Sequence, residues 1–292
     1  TTKCAMASTD RSIDRIGPEH ADGVWPLSIE AGWNQNLQDW RFMLATGRGY
    51  GLRLQDRWQA SALVLPLGPS LCWISMVLVT QELRRGGVGT ALLKMCIADV
   101  QSQGAVAGLD ATEQGRPIYL PLGFRDLYRI SRWHLDKVSG EAVAVPQGIH
   151  LRHFVPSDMA GIEDYDRKHS AMERSALLAH LGARLPSIAW VAEDRTGRMV
   201  GYVLGREGRT ASSIGPLIAD SEEIGLALLC RAAKSVAPPF IVDVPDAHAG
   251  VRRWLTEQGA ISPRGYVRMT LGDMPGLADP SHVFALAGPE LG

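Results

Sequence analysis

The chain has no C-x-x-C pair. Its four cysteines, Cys4, Cys72, Cys96 and Cys230, are scattered, which excludes a zinc ribbon and a dense disulfide framework and fits a reducing cytoplasm. It has no excess of either charge: 30 basic against 31 acidic residues leave a formal net charge of -1, so no global field favours nucleic acid or an anionic membrane, and neither is expected as a partner. The first twenty residues carry Lys3, Asp10, Arg11, Asp14 and Arg15 without an apolar segment, so no secretory leader is expected. An uncharged run over 60–81 is long enough to span a bilayer, but Pro66, Gly68 and Pro69 interrupt it. Two apolar strands over 60–67 and 71–79, joined by a Pro/Gly turn, fit it better.

What is present is enough apolar residue, 46% of 292, for two modest domains. Val88, Ala91, Leu92, Met95 and Cys96 recur at helical spacing, which predicts an amphipathic helix after the hairpin. A short apolar run over 105–111, a helical turn over 116–122, the pair Gly123 and Phe124, and a strand near 127–135 complete an α/β unit. Ser139, Gly140, Pro146 and Gly148 mark 137–148 as a linker, which sets the expected domains at 1–139 and 149–292. The order of elements then repeats: strands over 188–193, 199–204 and 210–219, a helix over 223–236, a strand over 240–244, a helix over 247–258 and a strand over 266–271. Val79 registers with Ala219, Asp110 with Asp243 and Gly123 with Gly259, at offsets of 140, 133 and 136 residues, which argues for duplication.

From Val77 to Leu93 the sequence reads V-L-V-T-Q-E-L-R-R-G-G-V-G-T-A-L-L. An apolar strand ends, two arginines and three glycines make a turn, and a helix begins. The open N-H groups and the dipole of a helix N-terminus favour an anion there, and glycine lets a phosphate approach the backbone closely. The lysine of a nucleotide-triphosphate loop is absent, and Leu92 fills the third glycine position of the dinucleotide fingerprint.

Arg84, Gly87 and Gly89 resemble the acetyl-CoA signature of the GNAT superfamily of N-acetyltransferases, [RQ]-x-x-G-x-[GA]. In register with it, Tyr119, Gly123 and Phe124 in Y-L-P-L-G-F resemble that superfamily's Y-x-x-x-G-F segment. E-A-G-W-N at Glu30 to Asn34 and D-W-R at Asp39 to Arg41 look like the helical substrate-side segment of some of its members. Thr112 departs from an asparagine common seven residues before the tyrosine, and Gln81 from a common proline.

The resemblance implies an α/β (α+β) fold of two tandem GNAT-like domains, each a mixed, mostly antiparallel sheet flanked by helices. It implies acetyl-CoA as cosubstrate, held by the strand end Val77, Leu78 and Val79 and by Arg84, Arg85, Gly86, Gly87, Val88, Gly89 and Thr90. A backbone N-H near residues 76–78 would stabilise the oxyanion, and Tyr119 would be the general acid toward the departing thiolate. For the amine-side base the candidates are Asp110, Glu30 and Glu113, beside a water relay. Trp33, Asn34 and Asp110 are the candidates on the acceptor side.

In the second half D-S-E-E-I-G places Asp220, Glu222 and Glu223 where the first half has arginines. This reads either as a degenerate loop whose carboxylates repel a pyrophosphate or as a capped first helical turn. Cys72 and Cys96 read as small buried residues, and His150 and His153 lack ligand partners, so no metal site is expected. The expected function is direct acetyl transfer from acetyl-CoA to a primary amine of a small molecule, in a monomer or homodimer. Protein lysines or N-termini are alternative acceptors, and a non-catalytic acyl-CoA-binding sensor or dimerisation protein is the alternative of another class.

Overall fold

A computed structural model describes residues 12–139 and 143–292. Cys4, Lys3, Asp10 and Arg11 lie outside them, as do 140–142 of the expected linker. The first half runs β1 (Ile13–Ile16), α1 (Ala21–Glu30), α2 (Leu37–Thr46), β2 (Arg48–Leu54), β3 (Arg57–Pro66), β4 (Leu71–Val79), α3 (Val88–Ser102), β5 (Val106–Thr112), α4 (Arg116–Tyr119) and β6 (Arg125–Leu135). The second runs β7 (His150–His153), α5 (Met159–Ser170), α6 (Ser175–Arg184), β8 (Trp190–Glu193), β9 (Met199–Glu207), β10 (Ser212–Ala219), α7 (Glu222–Lys234), β11 (Phe240–Pro245), α8 (Ala249–Glu257), β12 (Ile261–Leu271) and β13 (Val283–Ala285). The uncharged run is therefore a hairpin, β3 on β4, and no helix of the described residues is long and apolar enough to cross a membrane.

The repeat is visible in the element order, but the two expected sheets are one. The strands follow the order β1-β2-β3-β4-β5-β12-β6-β11-β10-β9-β8-β7, with β13 paired to β10. Among the described residues only β4–β5 and β10–β11 are parallel. At the centre each half's sixth strand enters the other's sheet: β12 lies between β5 and β6, and β6 lies between β12 and β11. The halves are thus related by a pseudo-twofold between β12 and β6, and neither closes its sheet alone.

Two buried ion pairs fix this exchange. Arg268 on β12 stands directly across from Asp110 on β5 and donates Nε and NH2 to its two carboxylate oxygens at 2.9 and 2.8 Å. Arg132 on β6 stands across from Asp243 on β11 and does the same at 2.7 Å each. The registered aspartates are thus the same structural position used twice. Burial opposes the charge of both arginines, but the facing carboxylates outweigh it and hold each guanidinium above its ordinary value. Trp73 stacks on Arg268, with the guanidinium carbon 4.6 Å from the ring centroid.

The helices also tie the halves together. Asp39 of α2 accepts from the Asn36 N-H and pairs with Arg184 of α6 and Arg206 of β9. One core cluster accordingly draws on Trp40, Leu63 and Trp73 from the first half and Leu181, Tyr202 and Leu204 from the second.

Removing one partner of a buried pair leaves an uncompensated charge, at a cost of about 3–5 kcal/mol. Asp243→Ala is expected to lower the unfolding free energy by that amount in urea denaturation. The double replacement Arg132→Met with Asp243→Leu is expected to recover most of it. An unchanged midpoint for the single variant would remove this pair from the account of strand exchange.

Candidate active site

β4 and β5 pair only at Leu71–Val106, Cys72–Ala107 and Trp73–Gly108, and then part. Gly108 is required there: a Cβ would stand 2.4 Å from the Trp73 ring. Along its other edge β4 stays paired with β3 as far as Val79, interrupted by a bulge between Ser75 and Leu78. Met76 in the bulge takes a left-handed backbone, φ 50°, which a non-glycine residue adopts at a cost of order 1–3 kcal/mol and which clusters at functional sites. Its carbonyl accepts from Ser61 Oγ at 2.8 Å.

The Thr80 N-H bonds to the Gln59 carbonyl, so the alternation of an antiparallel ladder turns Leu78 toward β3 and the backbone groups of Val77 and Val79 into the gap. Of the expected contacts, Val77 and Val79 therefore face the gap through the backbone, and Leu78 does not.

Past Val79 the chain makes a single 3-10 turn over Gln81–Leu83 and an exposed bend from Arg84 to Gly87 before α3. Gly87 holds φ 78° as the residue preceding the helix, and no side chain caps it. Among the described residues, the N-H groups of Val88, Gly89 and Thr90 thus begin the helix without a side-chain acceptor. A Cβ on Gly89 would stand 3.3 Å from Val79 Cγ2, so glycine lets the helix start close against the strand end. Arg84 Nε donates to the Val79 carbonyl at 3.1 Å, which folds this cation over the mouth of the gap, and Arg85 is exposed beside it. Positive side chains, open N-H groups and the positive end of the α3 dipole converge there, a setting for a diphosphate.

Below the mouth lies a cavity of about 100 Å³ lined by Met76 and Val77 of β4, Tyr119 of α4, Trp33 of the α1–α2 connection and Tyr266 of β12, among others. Tyr119 lies against Gly115, where a Cβ would meet its ring at 3.0 Å, and burial raises its pKa above the ordinary 10. Thr112, in the position of the missing asparagine, lines the same cavity and accepts from the Gly115 N-H at 3.1 Å, holding the turn that carries Tyr119.

Three expectations need correction. Asp110 touches the cavity, but both of its carboxylate oxygens are engaged by Arg268 and its side chain is fully buried, so it is a structural partner and not a free base. Glu30, at the end of α1, accepts from the Gln81 N-H at 2.7 Å: it anchors the start of the bend and is not among the residues lining the cavity. Asn34 is not among the residues lining the cavity. Its Oδ1 accepts from the Thr210 and Ala211 N-H groups and the Thr210 hydroxyl, and its Nδ2 donates to the Ala211 carbonyl, so it bolts the first half onto the β9–β10 connection. Sequence separations of 158 to 177 residues for Asp110 and Asn34, and of 51 for Glu30, concealed these partners. Trp33, by contrast, does wall the cavity.

The equivalent place in the second half is closed. β10 and β11 pair only at Ser212–Phe240 and Ser213–Ile241 before parting, and the gap between them holds β13, paired to β10 at Leu217–Ala285 and Ile218–Val283. Leu286 N-H continues to the Asp243 carbonyl of β11. Only Asp220 and Ser221 separate β10 from α7; Ser221 caps the helix through the Ile224 N-H, and Glu222 accepts from the Gly250 and Val251 N-H groups that begin α8. Glu222 and Glu223 thus stand in the capped first turn, Asp220 before it accepts from the Tyr165 hydroxyl at 2.7 Å, and the plugged gap, which no local pattern announced, is an independent obstacle to a ligand.

Cys72 and Cys96 are buried, and burial pushes the Cys96 thiol up to about 12, far from a nucleophilic thiolate. His153 packs against Trp190, with ring centroids 3.7 Å apart and the planes tilted by 32°.

A mostly antiparallel sheet that parts between two parallel strands, with an uncapped helix start at the opening, defines the class. The chain is similar to proteins of the GNAT superfamily of acetyltransferases, with two such halves in tandem. Residues 162–285 match the family model described as an acetyltransferase (GNAT) domain, which falls in the half whose gap is filled. The uncharacterized N-acetyltransferase YitH of Bacillus subtilis (strain 168) is 26% identical over 247 residues, covering 84% of this chain and 86% of the relative. A Pyrococcus horikoshii protein described as an acetyltransferase shares the fold at 17% identity and a TM-score of 0.77, over 98% of each chain. A tandem GNAT protein from the clavulanic acid biosynthesis pathway is similar at 13% identity and a TM-score of 0.64, covering 91% of this chain and 100% of that one.

Because burial disfavours its phenolate, Tyr119 is expected to hold its proton throughout the neutral range and to ionise only above pH 10. Titration of ring-labelled tyrosine by NMR, with Tyr119→Phe to assign the resonance, checks this. Ionisation below pH 9 would contradict the burial argument.

Proposed function

We propose that the chain is an acetyl-CoA-dependent N-acetyltransferase acting on a small primary amine, with one cofactor site per chain, in the first half. The proposal divides the chain at its linker into a cofactor-binding half, 1–139, and a half, 149–292, that contributes to the acceptor side but binds no coenzyme. The observation that carries it is the contrast between two equivalent gaps: one opens beneath an arginine- and glycine-lined helix start, and the other is filled by β13.

In this reading the diphosphate lies against the N-H groups of Val88, Gly89 and Thr90, with Arg84 and Arg85 beside it. The pantetheine chain pairs with the Val77 and Val79 backbone as an added strand would, displacing Arg84 from the Val79 carbonyl. The Val77 N-H, which faces the gap, donates to the oxygen that gains charge as an amine adds to the thioester. Tyr119, protonated, supplies the proton to the departing thiolate, and the proton that the adding amine gives up leaves to bulk water through a relay.

Calorimetry with acetyl-CoA is expected to give one site per chain, and Arg84→Glu to weaken it tenfold or more by placing an anion against the diphosphate. Two sites, or unchanged affinity in the variant, would contradict the assignment. Tyr119→Phe is expected to lower kcat about a hundredfold with nearly intact acetyl-CoA affinity, measured by release of free CoA thiol over an amine panel. Unaltered turnover would leave Tyr119 a packing residue.

A further inference from the structure

Having filled the second half's gap as β13, the chain crosses to the first half's cavity. Arg206 donates to the Ala287 carbonyl, and Trp73 Nε1 donates to the Pro289 carbonyl at 2.8 Å, so the segment is held from both sides. Gly288, at φ 135°, makes the bend, and a Cβ there would stand 3.0 Å from Glu290 Oε2. The bend lays Pro289 and Glu290 along the wall of the cavity that also holds Tyr119.

Glu290 is 3% exposed, and its Oε1 is bonded to Arg206. Its Oε2 has no hydrogen-bond partner within the described protein, and the same holds for Gln35 Oε1 and Ser75 Oγ. Buried polar atoms are ordinarily paired, and these three belong to residues lining one cavity. A carboxylate and an amide oxygen only accept hydrogen bonds, and a serine hydroxyl can accept. The arginine on the same wall, Arg132, is held by Asp243. Trp33, Tyr119 and Tyr266 supply aromatic walls suited to a cation.

We propose that Glu290, with Gln35 and Ser75, anchors the acceptor as an ammonium group, so that the second half's final described segment completes the first half's substrate site. An ammonium brings three N-H donors to three acceptor oxygens and a positive charge to one carboxylate, and it yields one of those protons to water before the freed lone pair adds to a thioester. The class of acceptor is a small primary amine on an uncharged, apolar or aromatic body, because Arg132 is the one cation among the described residues lining the cavity, and its pairing with Asp243 leaves no free positive charge for a second, anionic group. This inference rests on the acyl-transfer reading for its purpose, but its test does not.

The probe pair is 2-phenylethylamine and its neutral analogue 2-phenylethanol, titrated by calorimetry into the full chain with coenzyme A present. The wild-type chain is expected to bind the amine at least tenfold more tightly than the alcohol. Glu290→Gln should weaken the amine about tenfold and leave the alcohol unchanged. Gln35→Met removes an oxygen that has no hydrogen-bond partner among the described residues, so it keeps the test open should Glu290→Gln fail to fold; a loss of about threefold for the amine is expected. Equal amine affinity in wild type and variants, no preference for the amine over the alcohol, or no binding of the amine would each overturn the anchor. Amine binding that depends on Glu290 in a chain that transfers no acetyl group would sink the enzymatic reading alone. Acetyl transfer with amine binding indifferent to Glu290 would sink the anchor alone.

Discussion

Two parallel strands that begin side by side and then separate govern the rest of this molecule. Their parting leaves backbone groups facing a gap, and polar backbone cannot stay unpaired in an interior without cost. The two halves meet that demand differently. In the first, Val77 and Val79 face a gap with an uncapped helix start above it, so the unmet hydrogen-bonding capacity sits where a ligand can reach. In the second, β13 enters the gap as a strand of the protein's own, and Ser221 closes the helix start.

The exchange of β6 and β12 makes these two solutions parts of one body. Each strand brings an arginine to an aspartate of the other half, and once those charges are buried each has only the other as a match. The cavity in front of Tyr119 is consequently built by both halves: Tyr266 reaches it on β12, and Glu290 reaches it after β13. The second half thereby keeps a role as scaffold and wall, although its own gap is plugged.

Much of this was legible because it is local. The hairpin of β3 and β4, the amphipathic α3 and the arginine-glycine bend are written in periodicity and turn chemistry within about thirty residues. The registered pairs Asp110 with Asp243 and Gly123 with Gly259 disclosed the repeat, and both glycines do hold positive φ just before an exchanged strand. What stayed hidden depends on distant partners. Asp110 at a strand end looks like a free carboxylate until Arg268 is placed across from it, and Asn34 looks available until residues 210 and 211 arrive at its amide. The strands β12 and β6 are flanked on both edges, so their own pattern does not say which strand lies beside them. The stretch after β12, broken by Pro275, Pro280 and Pro289, carries no period from which either its strand or the placement of Glu290 could be read.

The central claim is that one gap accepts coenzyme A and its twin is filled by the chain. Amide hydrogen exchange with and without acetyl-CoA reads both gaps in a single experiment. The account predicts slowing at the backbone of 77–79 and through the bend to 90, with 212–224 unchanged. Slowing at 212–224, or none at 77–90 under saturating ligand, would contradict it.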